Sequence, residues 1–128
     1  MILKQIRTEP DPYAPYLLSQ GIQAGNLVFI SGQAGYDEDG KIVEGGFLAQ
    51  GRRAFKNLER ALKSGGLEFG NIAKVTIFVT DMGNFADVVT LRREFFSAPY
   101  PADSIIEVKA LYTPEALIEI EAIAVANA

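Results

Sequence analysis

A β-branched run between two segments of helical periodicity is the feature that most constrains the fold of this chain. Residues 75–79 read Val-Thr-Ile-Phe-Val, so apolar side chains point to both sides of an extended backbone. Such a run is typical of a strand that is covered on both faces. We therefore predict that 75–79 forms a central strand of a sheet.

Two amphipathic helices are predicted on either side of this strand. Apolar or small residues recur at helical spacing from 47 to 63, and Gly65-Gly66 supplies a C-terminal stop. A second apolar stripe runs from 85 to 96, and we expect Asn84 to cap this helix. Each helix has one apolar face, so both are expected to pack against the sheet.

Further strands complete the predicted sheet. Residues 19–23 and 27–31 are expected to form a hairpin, and two later strands span 104–111 and 117–125. The order is ββ(β)αβαββ, with an optional third strand, which indicates an α+β fold with a mixed sheet and two helices on one face. The other face also carries apolar side chains, and burial against other subunits is its simplest cover.

Composition limits the domain count and the chemistry. The chain has 128 residues, 48% of them hydrophobic, which fits one domain, 1–128, that folds without disulfides or metal. A net charge of −4 argues against a nucleic-acid partner. The absence of cysteine and histidine excludes thiol nucleophiles, Ser-His-Asp triads and the usual zinc ligands. The glycines form no nucleotide-binding motif, so neither a metal nor a cofactor is expected.

Nothing in the sequence indicates secretion or a membrane. The N-terminal residues 1–5 lack the apolar core of a signal peptide, and no later run is long enough to span a bilayer. We expect a soluble, cytoplasmic protein.

Two glutamates of the last strand are candidate acid/base groups. Glu119 and Glu121 are two residues apart, so both side chains lie on one face of the strand. A carboxylate in this setting can have a raised pKa that suits proton transfer, whereas a solvated face or a salt bridge is the alternative.

Tyr16 either offers its hydroxyl to a ligand or packs under the N-terminal loop. Ser31 lacks a neighbouring base and is assigned hydrogen bonding alone.

The chain carries the motifs of a known family. The stretch 101–104, Pro-Ala-Asp-Ser, precedes an apolar strand and the stretch 118–122, Ile-Glu-Ile-Glu-Ala, and residues 28–33 and 78–81 fall in matching order and spacing. The chain resembles the Rid family, also called YjgF/YER057c/UK114. The resemblance implies a chorismate-mutase-like fold, a homotrimer around a central barrel and a small-molecule ligand at the subunit interface. It also implies hydrolysis of the C=N bond of a 2-imino or 2-enamino acid, with release of ammonia.

The resemblance assigns roles to individual residues. Glu119 matches the family's site glutamate, and Tyr16 matches a tyrosine that lines the pocket across the subunit interface. Ser31 and Gly32 match pocket-lining positions. Backbone N–H groups near Ile105 are expected to bind the ligand.

Asp103 departs from this pattern, because the family keeps an arginine there to hold the substrate carboxylate. Two unit charges about 4 Å apart interact by roughly 4 kcal/mol at an effective dielectric of about 20. Repulsion in place of attraction therefore weakens binding roughly a thousandfold or more.

Val89 replaces an asparagine of several imine deaminases, or else simply packs in its helix. Arg92 or Arg93 is a candidate to restore positive charge, the alternative being a solvated helix face.

Two functions of different classes remain open. The first is hydrolysis of an imine, enamine or related C–N compound other than a standard 2-imino acid, with Glu119 orienting or deprotonating water. Asp103 would then favour a neutral or cationic amine-bearing substrate, or form an acid/base pair with Glu119. The second is a noncatalytic metabolite-binding or interaction trimer that has lost imine deaminase activity. A third hypothesis, a ribonuclease, is disfavoured by the acidic balance and by the lack of an RNA-cleaving pair.

Overall fold

The computed structural model describes residues 2–126, which form six strands and two helices. The helices are α1 (Phe47–Ser64) and α2 (Phe85–Phe95). The strands are β1 (Leu3–Ile6), β2 (Gly21–Ala24), β3 (Leu27–Ala34), β4 (Ile72–Val79), β5 (Ala102–Glu107) and β6 (Ile118–Val125).

All six strands belong to one sheet in the order β1-β2-β3-β6-β4-β5. Neighbouring strands are antiparallel except for β4 and β5, which are parallel. A parallel pair needs a crossover connection, and the segment containing α2 supplies it. The α+β class and the mixed sheet predicted from the sequence are therefore confirmed.

Besides changes in strand ends, such as β5 at Ala102–Glu107 instead of the predicted 104–111, three details of the sheet differ from the prediction. β1 is absent from the prediction, because Leu-Lys-Gln-Ile carries no clear alternation of its own; pairing with β2 holds it in place. The segment where an optional third strand was allowed forms an isolated bridge, between Tyr36 and Ile42. β4 is hydrogen-bonded on both sides, but it lies next to the edge strand β5 rather than in the centre.

The hydrophobic core lies between the helices and one face of the sheet. α1 packs across β3 and β6 and also contacts α2. The side chains that fill this layer include Phe55, Leu58, Leu91, Ile77, Ile118 and Ile120, all fully buried. Burying each of these side chains contributes about 1.5–3 kcal/mol to the free energy of unfolding. Within residues 2–126 no helix covers the opposite side of the sheet, which we call the helix-free face.

The start of α2 is built differently from the expectation. Asn84 occupies the N-cap position, but its side chain makes no capping hydrogen bond. The side chain of Asp81 instead accepts a hydrogen bond from the Gly83 backbone N–H in the turn before the helix, at 2.8 Å. The side-chain capping hydrogen bond is therefore made in the short turn that precedes α2, and not at Asn84.

The helix-free face carries several exposed apolar side chains. Leu27 pairs with Val125, and Phe29 lies two residues further along β3. Ile106 lies on the same face of the edge strand β5, opposite Phe78 of β4. We call Leu27, Phe29, Ile106 and Val125 the apolar strip; each of them is more than a third exposed. No helix within residues 2–126 is both long and apolar enough to cross a membrane.

Candidate functional site

A cavity of about 310 Å³ opens on the helix-free face. Four of the five tyrosines of the chain line it, namely Tyr13, Tyr16, Tyr36 and Tyr112. Glu119 and Gly32 also line it, and the remaining wall is apolar or glycine: Pro12, Leu18, Ala34 and Gly40. We call this space the tyrosine cavity. One carboxyl group is thus surrounded by aromatic and small side chains.

An irregularity in β3 makes room for that carboxyl group. The pairing of β3 with β6 shifts register between Ile30 and Gln33, so Ser31 and Gly32 fall in a bulge. A Cβ atom at position 32 would lie 2.5 Å from Glu119 Oε2, well inside van der Waals contact. Glycine at this position therefore lets the Glu119 carboxylate lie directly against the β3 backbone.

Glu119 has the electrostatic character of a proton-transfer group. On the neighbouring strands it is flanked by Ala34 and Phe78, which carry no charge. Burial, followed by the nearby charge of Glu121, raises the pKa of Glu119 above its ordinary value. The raised pKa agrees with the prediction from the strand pattern. The carboxyl group accordingly holds its proton to higher pH than an exposed glutamate does.

Two of the tyrosines brace the bulge. The Tyr13 hydroxyl donates a hydrogen bond to the Gly32 carbonyl oxygen at 2.7 Å, and the Tyr36 hydroxyl donates to Gln33 Oε1 at 2.8 Å. The two hydroxyl oxygens lie 3.2 Å apart, and the two rings meet edge to face. Burial raises the pKa of both tyrosines, and the hydrogen bond with Tyr13 partly offsets this for Tyr36. Both phenols therefore remain neutral donors.

The other predicted binding residues on this side of the sheet have distinct positions. Tyr16 lines the cavity with 76% of its surface exposed, so it stands at the mouth. Leu17 beside it has a left-handed φ of 62°, which is uncommon for a residue other than glycine. The Ser31 hydroxyl donates to the Ser19 carbonyl oxygen at 2.6 Å. Ser31 thus ties β3 to the preceding loop, whereas Gly32 forms part of the cavity wall.

Asp103 and Ile105 lie on the opposite face from Glu119. Asp103 pairs with Val75, a buried residue of the helix-covered face, and Ile105 pairs with the equally buried Ile77. Glu119 pairs instead with Phe78, whose side chain points the other way. The expected acid/base pair of Asp103 and Glu119 is therefore not formed within one chain.

Asp103 is instead paired with α2. Arg92 Nε donates to Asp103 Oδ2 at 2.9 Å, and the two side chains are only 25% and 17% exposed. The Arg92 guanidinium also lies 5.9 Å from the centre of the Phe85 ring. Asp103 Oδ1 is buried without a hydrogen-bond partner among residues 2–126. Arg92, one of the two candidates for restoring positive charge, thus lies beside the negative charge of Asp103.

The remaining α2 candidates stand apart from the cavity. Arg93 is exposed, and Val89 is partly buried beside the core residue Val88. Neither of them lines the tyrosine cavity. The position of Val89 agrees with the packing alternative.

Three tyrosines of the cavity wall, Tyr13, Tyr36 and Tyr112, were not predicted as site residues from the sequence, and neither were the apolar and glycine residues of the wall other than Gly32. All three lie outside the regular elements, where hydrophobic periodicity carries no information. A signal was nevertheless present, because all five tyrosines of the chain fall outside the predicted helices and strands. Several tyrosines concentrated in loops indicate a binding site better than a single tyrosine does, because each combines an aromatic ring with a polar hydroxyl.

Comparison with known proteins places this architecture in a family. A family model described as Endoribonuclease L-PSP matches residues 6–126. The mouse protein named 2-iminobutanoate/2-iminopropanoate deaminase is 37% identical over 126 residues, covering 98% of this chain and 93% of the mouse protein. A RutC family protein of Pyrococcus horikoshii is 40% identical over 116 residues, covering 90% of each chain.

A solved structure has the same fold. The crystal structure of RidA from the Antarctic bacterium Psychrobacter sp. PAMC 21119 superposes with a TM-score of 0.89 at 33% identity, covering 95% of this chain and 98% of that one. The match to the family model, the sequence relatives and the shared fold agree, and the chain belongs to the Rid (YjgF/YER057c/UK114) family.

Proposed function

We propose that this protein hydrolyses an imine, enamine or related C–N compound other than a standard 2-imino acid. The observation that carries the proposal is Glu119, a half-buried carboxyl group with a raised pKa in the wall of the tyrosine cavity. A general acid/base works best when its pKa lies close to the working pH. The deaminase name of relatives that match almost the whole chain supports the same reaction class.

The reaction needs one group that both accepts and returns a proton. Water adds to the carbon of a protonated C=NH2+ group, the π electrons move to nitrogen, and the Glu119 carboxylate takes a proton from the water. Glu119 then protonates the nitrogen of the neutral carbinolamine, and the C–N bond breaks as the hydroxyl oxygen forms C=O. The hydroxyl proton returns to Glu119 and passes to ammonia. The net change converts C=NH2+ and water into C=O and NH4+.

The pair of Asp103 and Arg92 argues against a substrate carboxylate at this position. The family's arginine is replaced by an acid, and the guanidinium of Arg92 is engaged at 2.9 Å by that acid. An arginine already paired with a partly buried carboxylate has less to gain from a second one. In the proposed trimer, where a neighbouring copy brings its Asp103 toward the site, a substrate without a carboxylate avoids this repulsion.

The active form in this proposal is a homotrimer. The apolar strip exposes four large apolar side chains on one sheet face, which supports burial against other copies. Tyr16 lies exposed at the mouth of the cavity, so a neighbouring copy can share it. Each site would then be completed at a subunit interface.

The deciding experiment compares two imines that are generated enzymatically during the assay. An amino-acid oxidase supplies 2-iminopropanoate, an amine oxidase supplies a carboxylate-free imine from a primary amine, and ammonia release is followed with and without the protein. We expect faster hydrolysis of the carboxylate-free imine, and a loss of at least about a hundredfold in kcat for Glu119→Gln. Glu121→Gln removes the same charge from an exposed position nearby and should retain most of the activity.

Two other results would redirect the proposal. Preferential hydrolysis of 2-iminopropanoate would show that the argument from Asp103 is wrong. No acceleration with either imine would favour the noncatalytic metabolite-binding or interaction trimer, which the replacement of the family's arginine also supports.

A further inference from the structure

The tyrosine cavity has an unusual balance of charge. Among residues 2–126, Glu119 is the one lining residue with a side chain that ionises to an anion near neutral pH, and no lysine or arginine of this range lines the cavity. The walls are four tyrosines together with apolar and glycine residues. An anionic ligand would therefore meet a carboxylate and aromatic ring faces, both of which repel negative charge.

Several cationic side chains of the chain are directed elsewhere. Arg53 lies 3.4 Å from Glu38, and Arg60 lines a separate cavity of about 90 Å³ behind Tyr36. The Lys74 ammonium donates to the Val75 carbonyl oxygen at 3.0 Å. The Arg92 guanidinium is paired with Asp103 on the helix-covered side of the sheet. None of these groups is among the residues that line the tyrosine cavity.

Aromatic walls around one carboxylate are suited to a cation. A positive charge near an aromatic ring is attracted by the negative π face, and methylated or otherwise apolar ammonium groups gain most from this contact. The carboxylate adds a counter-ion in a partly desolvated space, where the attraction is stronger than in water. The largely apolar wall accommodates the carbon substituents of the ligand.

We propose that the tyrosine cavity selects a cationic nitrogen compound with small apolar substituents, held by Glu119 as counter-ion and by the tyrosine rings. The inference rests on the proposed function, because it names the substrate class of the same site: a protonated imine or iminium ion rather than an anionic imino acid. The positive carbon–nitrogen group then lies beside the carboxylate that activates water.

Three probes of nearly equal shape test this selectivity. Choline carries a trimethylammonium group, 3,3-dimethyl-1-butanol replaces the nitrogen by carbon, and 3,3-dimethylbutanoate carries a negative charge. Binding to the wild-type protein is measured by NMR titration at pH 8. We expect choline to bind at least about tenfold more tightly than the neutral alcohol, and the anion to bind most weakly.

Matched variants separate the cavity from the general surface charge. Glu119→Gln should abolish the preference for choline over the alcohol, whereas Glu121→Gln, which changes the same charge outside the cavity, should retain it. Tyr112→Phe keeps the aromatic ring and should weaken choline binding less than Tyr112→Leu does. Tyr112→Leu should weaken choline binding several-fold.

The opposing outcomes are distinct. The inference is overturned if the alcohol or the anion binds as tightly as choline, if no probe binds, or if Glu121→Gln weakens choline as much as Glu119→Gln does. None of the probes contains a C=N bond, so the result does not depend on turnover. Choline selectivity without imine hydrolysis would refute the proposed function alone, and hydrolysis without selectivity would refute this inference alone.

Discussion

Two residues, Gly32 and Glu119, shape the reactive corner of the cavity. The Glu119 carboxylate occupies space that a side chain at position 32 would fill, because a Cβ there would lie 2.5 Å from Oε2. Tyr13 fixes the same stretch of backbone through its hydrogen bond to the Gly32 carbonyl. The position of the proposed acid/base group is thus set by the absence of a side chain on the neighbouring strand.

Replacing Gly32 by alanine should displace the Glu119 carboxylate. A shift of about 1 Å in a catalytic group can lower the rate roughly a hundredfold, so we expect kcat for imine hydrolysis to fall about 10- to 100-fold. Gly70→Ala is the matched control, because the nearest atom to a Cβ there is 3.8 Å away. Ammonia release from both variants, with circular dichroism to confirm folding, measures the effect. Unchanged activity in Gly32→Ala would show that Glu119 need not occupy its present position.

The raised pKa of Glu119 also predicts how stability varies with pH. The folded state holds the proton to higher pH than the unfolded chain, so stability falls as pH rises from the ordinary glutamate pKa through the raised one. Glu119→Gln removes this loss. We therefore expect the variant to have a higher Tm than the wild type at pH 8, and a similar Tm at pH 3, where the carboxyl is protonated in both states.

Apart from Glu121, the groups around Glu119 should not change charge over this pH range. Its strand neighbours Ala34 and Phe78 do not titrate, and the pKa values of Tyr13 and Tyr112 are raised, so both phenols stay neutral. Glu121 is the charged group that adds to the shift. A wild type that is more stable than Glu119→Gln at pH 8 would contradict the burial argument, since ionised Glu119 would then be a net stabilising group.

Among the elements, α2 and β5 are joined by the one feature that departs most from the family pattern. Arg92 on the helix holds Asp103 on the strand, where relatives are expected to keep arginine on the strand itself. Placing arginine at position 103 alone would set two guanidinium groups side by side. The ion pair therefore has to be exchanged as a unit.

The double exchange Arg92→Asp with Asp103→Arg should preserve the pair and create a carboxylate site. We expect Asp103→Arg alone to lower the free energy of unfolding by about 1–3 kcal/mol, and the double variant to recover most of that loss. The double variant should also gain at least about tenfold in kcat/KM for 2-iminopropanoate. Urea denaturation and ammonia release measure the two effects. A double variant no better than the wild type on this imine would remove position 103 from carboxylate recognition.

Some of these elements were predictable, and the reasons are physical. α1 has a long stripe at helical spacing with a glycine stop, and β4 and β6 are rich in β-branched residues, so local pattern and final packing agree. β1 has no such pattern and depends on an edge offered by β2. The face of Asp103 was not predictable, because it follows from the parallel register of β5 on β4, which forms only after α2 crosses over. Glu119 could be proposed as a site residue because its strand pattern is local and because the resemblance matches it to the family's site glutamate.

For the whole molecule, the helix-free face is the surface through which the proposed trimer would assemble. The apolar strip includes Leu27 and Phe29 on the inner strand β3 and Ile106 on the edge strand β5. Contact with other copies would bury these side chains without altering the core. The same face carries the tyrosine cavity, so the proposed assembly and ligand binding would involve one surface.

Charging the apolar strip should dissociate the proposed trimer. Phe29→Lys is expected to shift the mass in sedimentation equilibrium from three copies toward the 13.9 kDa single chain, since lysine in an apolar interface is left unpaired. Phe29→Leu keeps the position apolar and should remain trimeric. Ile106→Lys provides a second test at the opposite edge. A wild type that sediments as a single chain at all concentrations would exclude the trimer.

The concentration of tyrosines at the cavity gives the molecule an optical property. The chain contains no tryptophan, so its near-ultraviolet emission comes almost entirely from tyrosine, and four of the five emitting rings line one cavity. Any molecule that enters will change the surroundings of most of the fluorophores at once. The protein therefore carries a built-in, label-free reporter of its own occupancy.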